Sequence, residues 1–287
     1  MRIDRRAVLA GAFAVAGAVL APPAVRASAV VIRFGLTPVF LTSDLELLGR
    51  LQTYLQRTTG RPVELVSRRT YQEITALLVS GQLDAAWICG YPFVAHRAAL
   101  QLVAVPQWRG RPLYQSYLIV DRDREAQDFQ DLEGDIHAFS DPDSNSGFLV
   151  TSALLAEHDR KPSSFFSRTF FTYGHRNVIR AVASGLARSG SVDGYVLEVM
   201  GDIEPELTSQ VRILRRSEWL GFPPIAAPRQ PVDPKALALL TDAFLHIEAD
   251  EDGRAILSML RLDGFAAEAP DLFDPIAAKA ALVAGAG

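Results

Sequence analysis

Short apolar runs and amphipathic segments alternate along this chain, and few folds accommodate such a pattern. Residues 30–36 and 63–66 are apolar runs that predict two buried strands. Between them, Ser43 and Glu46 form the capping-box pair that begins a helix, which we expect to extend to about Arg57. A helix between two strands returns the chain so that the second strand runs in the same direction as the first. We therefore predict an α/β fold with mainly parallel sheets covered by helices.

The alternation continues through the rest of the chain. Further strands are predicted at residues 84–89, 114–120, 135–139, 169–172, 192–196 and 211–214. Further helices are predicted at residues 71–80, 94–99, 148–157, 177–187 and 234–260. The C-terminal third is therefore expected to be helical, without a strand of its own.

The length of the chain favours two lobes. It has 287 residues, and a typical domain has roughly 150. The charged stretch 121–125 predicts entry into a second lobe, and we expect the C-terminal third to pack back on the first. The expected division is a first lobe of residues 30–117 and 222–287, a second lobe of residues 118–221, and two crossover segments.

Residues 1–29 have the layout of a secretory signal peptide. Three arginines precede an uncharged apolar run at residues 7–21, and small residues follow at 27–29. The run is shorter than the ~20 residues that span a bilayer. Arg5-Arg6 resembles a twin-arginine signal, and general secretory export stays open. We expect cleavage after Ala29 and a mature protein in the periplasm.

Charge and cysteine content exclude several classes of protein. With 49% hydrophobic and 22% charged residues the chain is neither disordered nor fibrous, and one cysteine excludes a disulfide scaffold. Loss of residues 1–29 removes four arginines and one aspartate and lowers the net charge from −4 to about −7. We expect no nucleic-acid partner, because an acidic chain repels a phosphate backbone.

Residues 139–148 are the strongest candidate for a binding site. They join a predicted strand to a predicted helix, where open α/β sheets bind ligands. We expect N–H groups from Ser146 onward to point out of the helix N-terminus, beside the hydroxyls of Ser144 and Ser146 and the amide of Asn145. Such a site binds an anion without a formal positive charge. Ordinary helix capping is the alternative explanation.

Two further residues could contact an anion at similar junctions. His175 begins the next predicted helix and could donate from either ring nitrogen when protonated. Asp193 lies in a predicted strand and could accept from a protonated ligand oxygen or an amine. Their alternatives are a capping histidine and a turn carboxylate.

An enzyme is the more remote hypothesis. Ser146, His175 and Asp193 could form a hydrolase triad, but no Gly-x-Ser-x-Gly elbow is present. His-Glu-x-x-His and Gly-Lys-Ser/Thr motifs are also absent, which disfavours metalloprotease and NTPase functions. We predict neither catalysis, nor a metal, nor a cofactor.

In chain order, these motifs resemble the periplasmic phosphonate-binding proteins of ABC transporters, a family with phosphite-binding and arsenite-binding members. The resemblance covers nearly all of the mature chain. It rests on Tyr71-x-x-Ile74-x-x-Leu77, Gly81-Gln82-Leu83-Asp84-Ala85-Ala86-Trp87, Asp141-Pro142-x-Ser144-x-Ser146-Gly147 and Gly174-His175.

The resemblance implies a type II periplasmic binding fold, in which two lobes close on an oxyanion. It also implies that Tyr71 and Tyr114 bind the anion together with Ser144, Asn145, Ser146 and His175. Asn145 stands where the family commonly has threonine, so ligand preference could differ. The expected partners are a phosphonate, phosphite or phosphate ion and an inner-membrane permease, and we expect a monomer.

Cys89 supports a second hypothesis. It follows a predicted first-lobe strand, and a thiolate is a soft ligand suited to trivalent arsenic. Arsenite sensors of the family use a cysteine, so the chain could instead signal to a sensor kinase. A small buried hydrophobe is the alternative explanation for Cys89.

Overall fold

The computed structural model describes residues 30–38 and 45–286. The predicted signal peptide and the Ser43 cap lie outside these residues. The strands in the described part are β1 (Ile32–Leu36), β2 (Val63–Ser67), β3 (Ala85–Trp87), β4 (Leu100–Gln107), β5 (Leu113–Tyr114), β6 (Ser116–Asp121), β7 (Ile136–Phe139), β8 (Arg168–Phe171), β9 (Ser189–Asp193), β10 (Val211–Arg216), β11 (Leu220–Gly221), β12 (Ile225–Pro228) and β13 (Gly264–Ala266).

The α-helices lie between these strands and at the C-terminal end. In the described part they are α1 (Leu45–Thr59), α2 (Tyr71–Val79), α3 (Gly90–Ala95), α4 (Val150–Ala156), α5 (Pro162–Phe165), α6 (His175–Ala183), α7 (Gly194–Ile203), α8 (Pro205–Thr208), α9 (Pro234–Leu245), α10 (Glu251–Leu260) and α11 (Asp274–Gly285). One π-helical turn, Asn145–Leu149, leads directly into α4.

Eleven of the thirteen described strands form two mixed sheets. The first sheet has the order β13-β4-β12-β3-β1-β2, and the second has the order β10-β6-β9-β7-β8. Within the first sheet, β1 pairs in parallel with β2 and β3, whereas β12 and β13 run antiparallel to their neighbours. In the second sheet only β6 runs against the other strands. The α/β class with two sheets is therefore as predicted, and each sheet contains reversed strands.

The first sheet contains strands from both ends of the chain, whereas all strands of the second sheet lie between residues 116 and 216. The connections between them pair as a short antiparallel ribbon, with Tyr114 opposite Leu220 and Leu113 opposite Gly221. We keep the lobe boundaries predicted from the sequence as a proposal, with β6 beginning at Ser116, slightly ahead of residue 118.

Aromatic side chains fill the core beside the first sheet. The Phe34 ring lies 5.2 Å from that of Phe244, which lies 5.1 Å from that of Phe265. Trp87 contacts Phe265 and donates its indole N–H to the carbonyl of Pro223 over 2.8 Å. These contacts tie the middle of the first sheet to helix α9 and strand β13.

Several predicted elements differ in the structure. The C-terminal third was expected to lack strands, but β13 pairs there with β4. The predicted strand 192–196 ends at Asp193, because that carboxylate caps α7 by accepting the N–H of Val196. The predicted strand 114–120 is divided into β5 and β6, and β4 and α11 were not predicted.

Candidate functional site

Residues at the carboxyl ends of strands from both sheets contact one another. From the first sheet, Tyr71 follows β2 and Cys89 follows β3. From the second sheet, a loop follows β7, His175 follows β8 and Asp193 ends β9. Ligands of open α/β sheets bind at this edge of the strands. The sheet topology therefore explains how residues far apart in sequence form one site.

The loop after β7 continues into the π-helical turn, which we call the anion loop (residues 140–149). Ser144 caps this turn, because its Oγ accepts the N–H of Gly147 over 2.9 Å. The N–H of Asn145 donates to Sγ of Cys89 over 3.2 Å. The prediction of a free N–H group is therefore wrong for Gly147, because its N–H donates to Ser144 within the turn. The capping role that was the alternative explanation is observed for Ser144.

Gly147 allows the anion loop to approach β7 closely. A Cβ at this position would lie 1.8 Å from Oγ of Ser140. The backbone N–H of Ser140 donates to the carbonyl of Gly147 over 3.1 Å, which holds the two segments together. Any side chain at residue 147 would therefore force the loop away from the strand.

Tyr71, His175 and Asp193 form a chain of hydrogen bonds between the two sheets. The N–H of Asp193 donates to Nδ1 of His175 over 3.1 Å, and Nε2 of His175 lies 3.3 Å from Oη of Tyr71. Burial lowers the pKa of His175 to about 3. The suggested donation by a protonated His175 through either nitrogen does not fit this geometry, because the lowered pKa keeps the ring neutral and its Nδ1 is an acceptor.

Asn145 also connects the anion loop to the crossover ribbon. Its Nδ2 donates to Oη of Tyr114 over 2.9 Å, in addition to the backbone contact with Cys89. Cys89 lies at this junction, and burial raises the pKa of its thiol to about 11. A thiol with that pKa is almost entirely protonated at neutral pH.

The side chains of the site are buried. The eight residues predicted to bind the ligand are at most 3% exposed, namely Tyr71, Cys89, Tyr114, Ser144, Asn145, Ser146, His175 and Asp193. Burial raises the pKa of Asp193 to about 7 and holds those of Tyr71 and Tyr114 well above their usual value. Among the described residues, no Lys or Arg is a main cause of the pKa shifts of Tyr71, Tyr114, His175 or Asp193.

Several polar atoms of the anion loop have no hydrogen-bond partner of normal geometry in the described part of the chain. They are Oγ of Ser140, Oγ of Ser146 and Oδ1 of Asn145, all buried. Buried polar atoms in folded proteins are nearly always paired. Unpaired atoms concentrated in one loop therefore mark a place where a polar ligand would be held.

Two residues outside the predicted set also support the site. Asp141 accepts the N–H of Tyr71 through Oδ2 over 3.2 Å, so the second sheet caps a helix of the first. Ser116 donates its hydroxyl to the carbonyl of Ser146 over 2.6 Å. Asp141 is part of the Asp-Pro-x-Ser-x-Ser-Gly motif, which could have indicated it, whereas no sequence signal indicated Ser116.

The geometry does not match a hydrolase triad. A triad requires Nδ1–H of the histidine to donate to the aspartate carboxylate. Here Nδ1 of His175 accepts from the backbone of Asp193, while Oδ1 of Asp193 accepts the N–H of Val196.

Comparison with known proteins gives a family-model match over residues 34–272. The family is described as the periplasmic substrate-binding protein of phosphonate ABC transporters. A curated relative, the phosphate-import protein PhnD of Mycolicibacterium smegmatis, is 28% identical over 208 residues. The match covers 66% of this chain and spans 64% of the relative's length.

Two solved structures share the fold. A binding-protein component of an ABC phosphonate transporter from Pseudomonas aeruginosa is 22% identical, with a TM-score of 0.82 and coverage of 90% of this chain and 88% of the other. PhnD1 from Prochlorococcus marinus, in complex with methylphosphonate, is 17% identical, with a TM-score of 0.78 and coverage of 88% and 97%. Among residues 30–38 and 45–286, no helix is long and apolar enough to cross a membrane.

Proposed function

We propose, because this chain belongs to the family of periplasmic substrate-binding proteins of phosphonate ABC transporters, that it captures a small phosphorus oxyanion and delivers it to a membrane permease. Phosphonate, phosphite and phosphate are the ligand class. The observation that carries this proposal is the buried Ser146 hydroxyl, which has no partner of normal geometry in the described residues although both sheets meet at its loop.

The binding mode we infer uses neutral donors. The hydroxyls of Ser144, Ser146 and Tyr71 would donate to the ligand oxygens, while Nε2–H of His175 would donate to Oη of Tyr71. Such a set suits an anion of low charge, because these donors carry no formal positive charge. Asp193 would accept a hydrogen from a protonated ligand oxygen, and a dianion without such a hydrogen would face an unfavourable carboxylate.

The donor direction of Tyr71 follows from the hydrogen-bond chain. Since Nδ1 of His175 is an acceptor, the ring hydrogen lies on Nε2 and can donate to Oη of Tyr71. The tyrosine hydrogen is then free for the ligand. A residue of the first sheet would thus be oriented by a residue of the second, which couples ligand binding to closure.

We infer from the contacts between the two sheets that the structure is in a closed conformation. Tyr195 donates its hydroxyl to the carbonyl of Leu260, and Arg109 pairs with Glu198, each joining a helix of the second sheet to the first-sheet side. We infer that opening exposes the site to ligand and that a permease recognises the closed form. We further infer that the protein acts as a monomer and does not transform its ligand.

Arsenite binding is the second candidate, favoured by the position of Cys89 beside Asn145 in the site. The thiol is the single cysteine of the chain, and its raised pKa disfavours the thiolate that arsenic requires. In this case the closed form would signal to a sensor kinase. Cys89→Ser should abolish arsenite binding and leave phosphonate binding in place.

Isothermal titration of the mature protein with methylphosphonate, phosphite, phosphate and arsenite tests both candidates. We expect one saturable site for at least one phosphorus oxyanion. Ser146→Ala should weaken that binding about tenfold or more, because a hydrogen bond to a charged ligand is lost. Ser258→Ala, on an exposed helix face, is the matched control. Absence of binding by all four ions would overturn the proposal, as would turnover of a phosphate ester.

A further inference from the structure

A cavity lies beside the anion loop and shares none of the eight predicted ligand-binding residues. Its volume is about 390 Å³, within the range of small-molecule sites. Three phenylalanines form much of its wall, and the end of α11 closes part of it. The lining residues are Phe139, Phe148, Ser152, Ala156, Arg160, Lys161, Pro162, Ser163, Thr169, Phe171, Val283 and Ala286.

The apolar wall of this cavity is aromatic. The ring of Phe148 lies 5.1 Å from that of Phe139 and 5.5 Å from that of Phe171, both in edge-on arrangements. Phe148 and Phe171 are only half-buried, so their surfaces remain available to an occupant. Aromatic rings prefer offset or edge-on contact with another ring, which this wall offers.

One buried polar group in the cavity lacks a partner. Ser152 is 2% exposed, and its Oγ makes no hydrogen bond in the described part of the chain. Leaving a buried hydroxyl unpaired costs free energy. A ligand with a polar substituent at this depth would satisfy Ser152, whereas a purely apolar ligand would not.

The charged residues of the cavity favour an anion. Lys161 is exposed and takes part in no ion pair among residues 30–38 and 45–286. Arg160 is already engaged, because it pairs with Glu133 and its guanidinium lies 5.4 Å from the centroid of Phe165. A single unpaired ammonium therefore accompanies the aromatic wall.

We propose that this cavity is a second ligand site, specific for an aromatic carboxylate. The ring system of the ligand packs against Phe148 and Phe171, its carboxylate pairs with Lys161, and a ring hydroxyl reaches Ser152. Phe148 belongs to the same π-helical turn as Asn145 and Ser146, so the two sites share one backbone segment.

Titration calorimetry with 6-hydroxy-2-naphthoate tests the proposal on the mature protein. We expect one saturable site that remains available when methylphosphonate is also present. Ala156→Phe, which fills the cavity, should abolish naphthoate binding and leave the response to methylphosphonate unchanged. Lys161→Met should weaken naphthoate binding about two- to fivefold, as expected for a partly exposed ion pair. Lys235→Met, an exposed lysine on α9, is its matched control.

Two ligands that differ only in a ring hydroxyl test the role of Ser152. Ser152→Ala should weaken 6-hydroxy-2-naphthoate about threefold or more and leave 2-naphthoate unaffected, because only the former carries the hydroxyl. Three results would each overturn the proposal: no saturable binding, displacement of naphthoate by methylphosphonate, or equal affinities of the Lys161 and Lys235 variants. Lys161 is exposed, so its variant remains informative even where a cavity-filling variant fails to fold.

Discussion

The backbone N–H of Asp193 donates to Nδ1 of His175 over 3.1 Å. This single contact determines where the imidazole carries its hydrogen, because a nitrogen that accepts cannot be protonated. The hydrogen lies on Nε2, 3.3 Å from Oη of Tyr71. Through His175, the backbone N–H of Asp193 in the second sheet thereby orients the hydroxyl of Tyr71 on the first-sheet side. These donors carry no formal charge.

The tautomer of His175 can be observed directly. Because burial lowers its pKa to about 3, we expect a neutral ring, protonated on Nε2, from pH 5 to pH 8. Nitrogen-15 chemical shifts of the labelled protein measure this, and His175→Gln assigns the signal. A doubly protonated ring, or a titration step within that range, would contradict the proposed donor pattern.

Asp193 should make the folded protein less stable as the pH rises from 4 to 7. Burial raises its pKa from 3.8 to about 7, so the folded state binds the proton more tightly than the unfolded state. The resulting stabilisation is complete below about pH 4 and is lost as the pH rises through 7. The free energy of unfolding of the natural protein minus that of Asp193→Asn should therefore fall between pH 4 and pH 7 in urea titrations.

Asp233→Asn is a control of opposite sign. Asp233 also caps a helix, but the N–H of Ala236 and the neighbouring Arg61 lower its pKa. Its contribution is present above the unfolded pKa and is lost as the pH falls. The free energy of unfolding of the natural protein minus that of Asp233→Asn should not decrease between pH 4 and pH 7. Equal pH profiles for the two variants would contradict the assignment for Asp193.

Gly147 should tolerate no side chain. Gly147→Ala places a Cβ against Oγ and Cβ of Ser140, and we expect a loss of about 1–3 kcal/mol in unfolding free energy together with weaker methylphosphonate binding. Gly49→Ala is the matched control, since nothing lies within 4 Å of its added Cβ and it sits within α1. The control should gain about 0.5–1 kcal/mol. Unchanged stability and binding in Gly147→Ala would show that the loop does not depend on this close approach.

Closure should protect Cys89 from alkylation. The thiol is 2% exposed when the sheets are in contact, and its pKa is raised to about 11. We expect iodoacetamide to modify Cys89 at least about tenfold more slowly with saturating methylphosphonate than without it, because the ligand stabilises the closed form. Intact-mass spectrometry follows the reaction, and Cys89→Ser gives the unmodified baseline. Equal rates with and without ligand would indicate that Cys89 lies outside the closing interface.

Much of the fold could be predicted because it is locally encoded. The apolar run at Val63 and the capped helix at Tyr71 each carry their signal within a few residues, and both appear near the predicted positions. Strands β12 and β13 could not be predicted in the same way. They are short, β12 ends at Pro228, and they pair with β4, more than 100 residues earlier in the chain.

The site shows the same division between local and distant information. The position of the Ser144–Ser146 turn after a strand was predictable, because parallel α/β sheets bind ligands there. The π-helical form of the turn was not, since it depends on Ser140, Cys89 and Ser116 contacting the turn from other elements. The protonation state of His175 could not be predicted, because its burial and its Asp193 partner are properties of the folded chain.

A crystal structure of the mature protein with methylphosphonate would show directly which residues hold the ligand. We predict that the phosphorus atom lies beside the anion loop and Tyr71, with ligand oxygens accepting from Ser146 Oγ and Tyr71 Oη while His175 Nε2 stays bonded to Tyr71. A methylphosphonate bound elsewhere, or one held in this cleft by a lysine or arginine instead of these donors, would contradict this prediction.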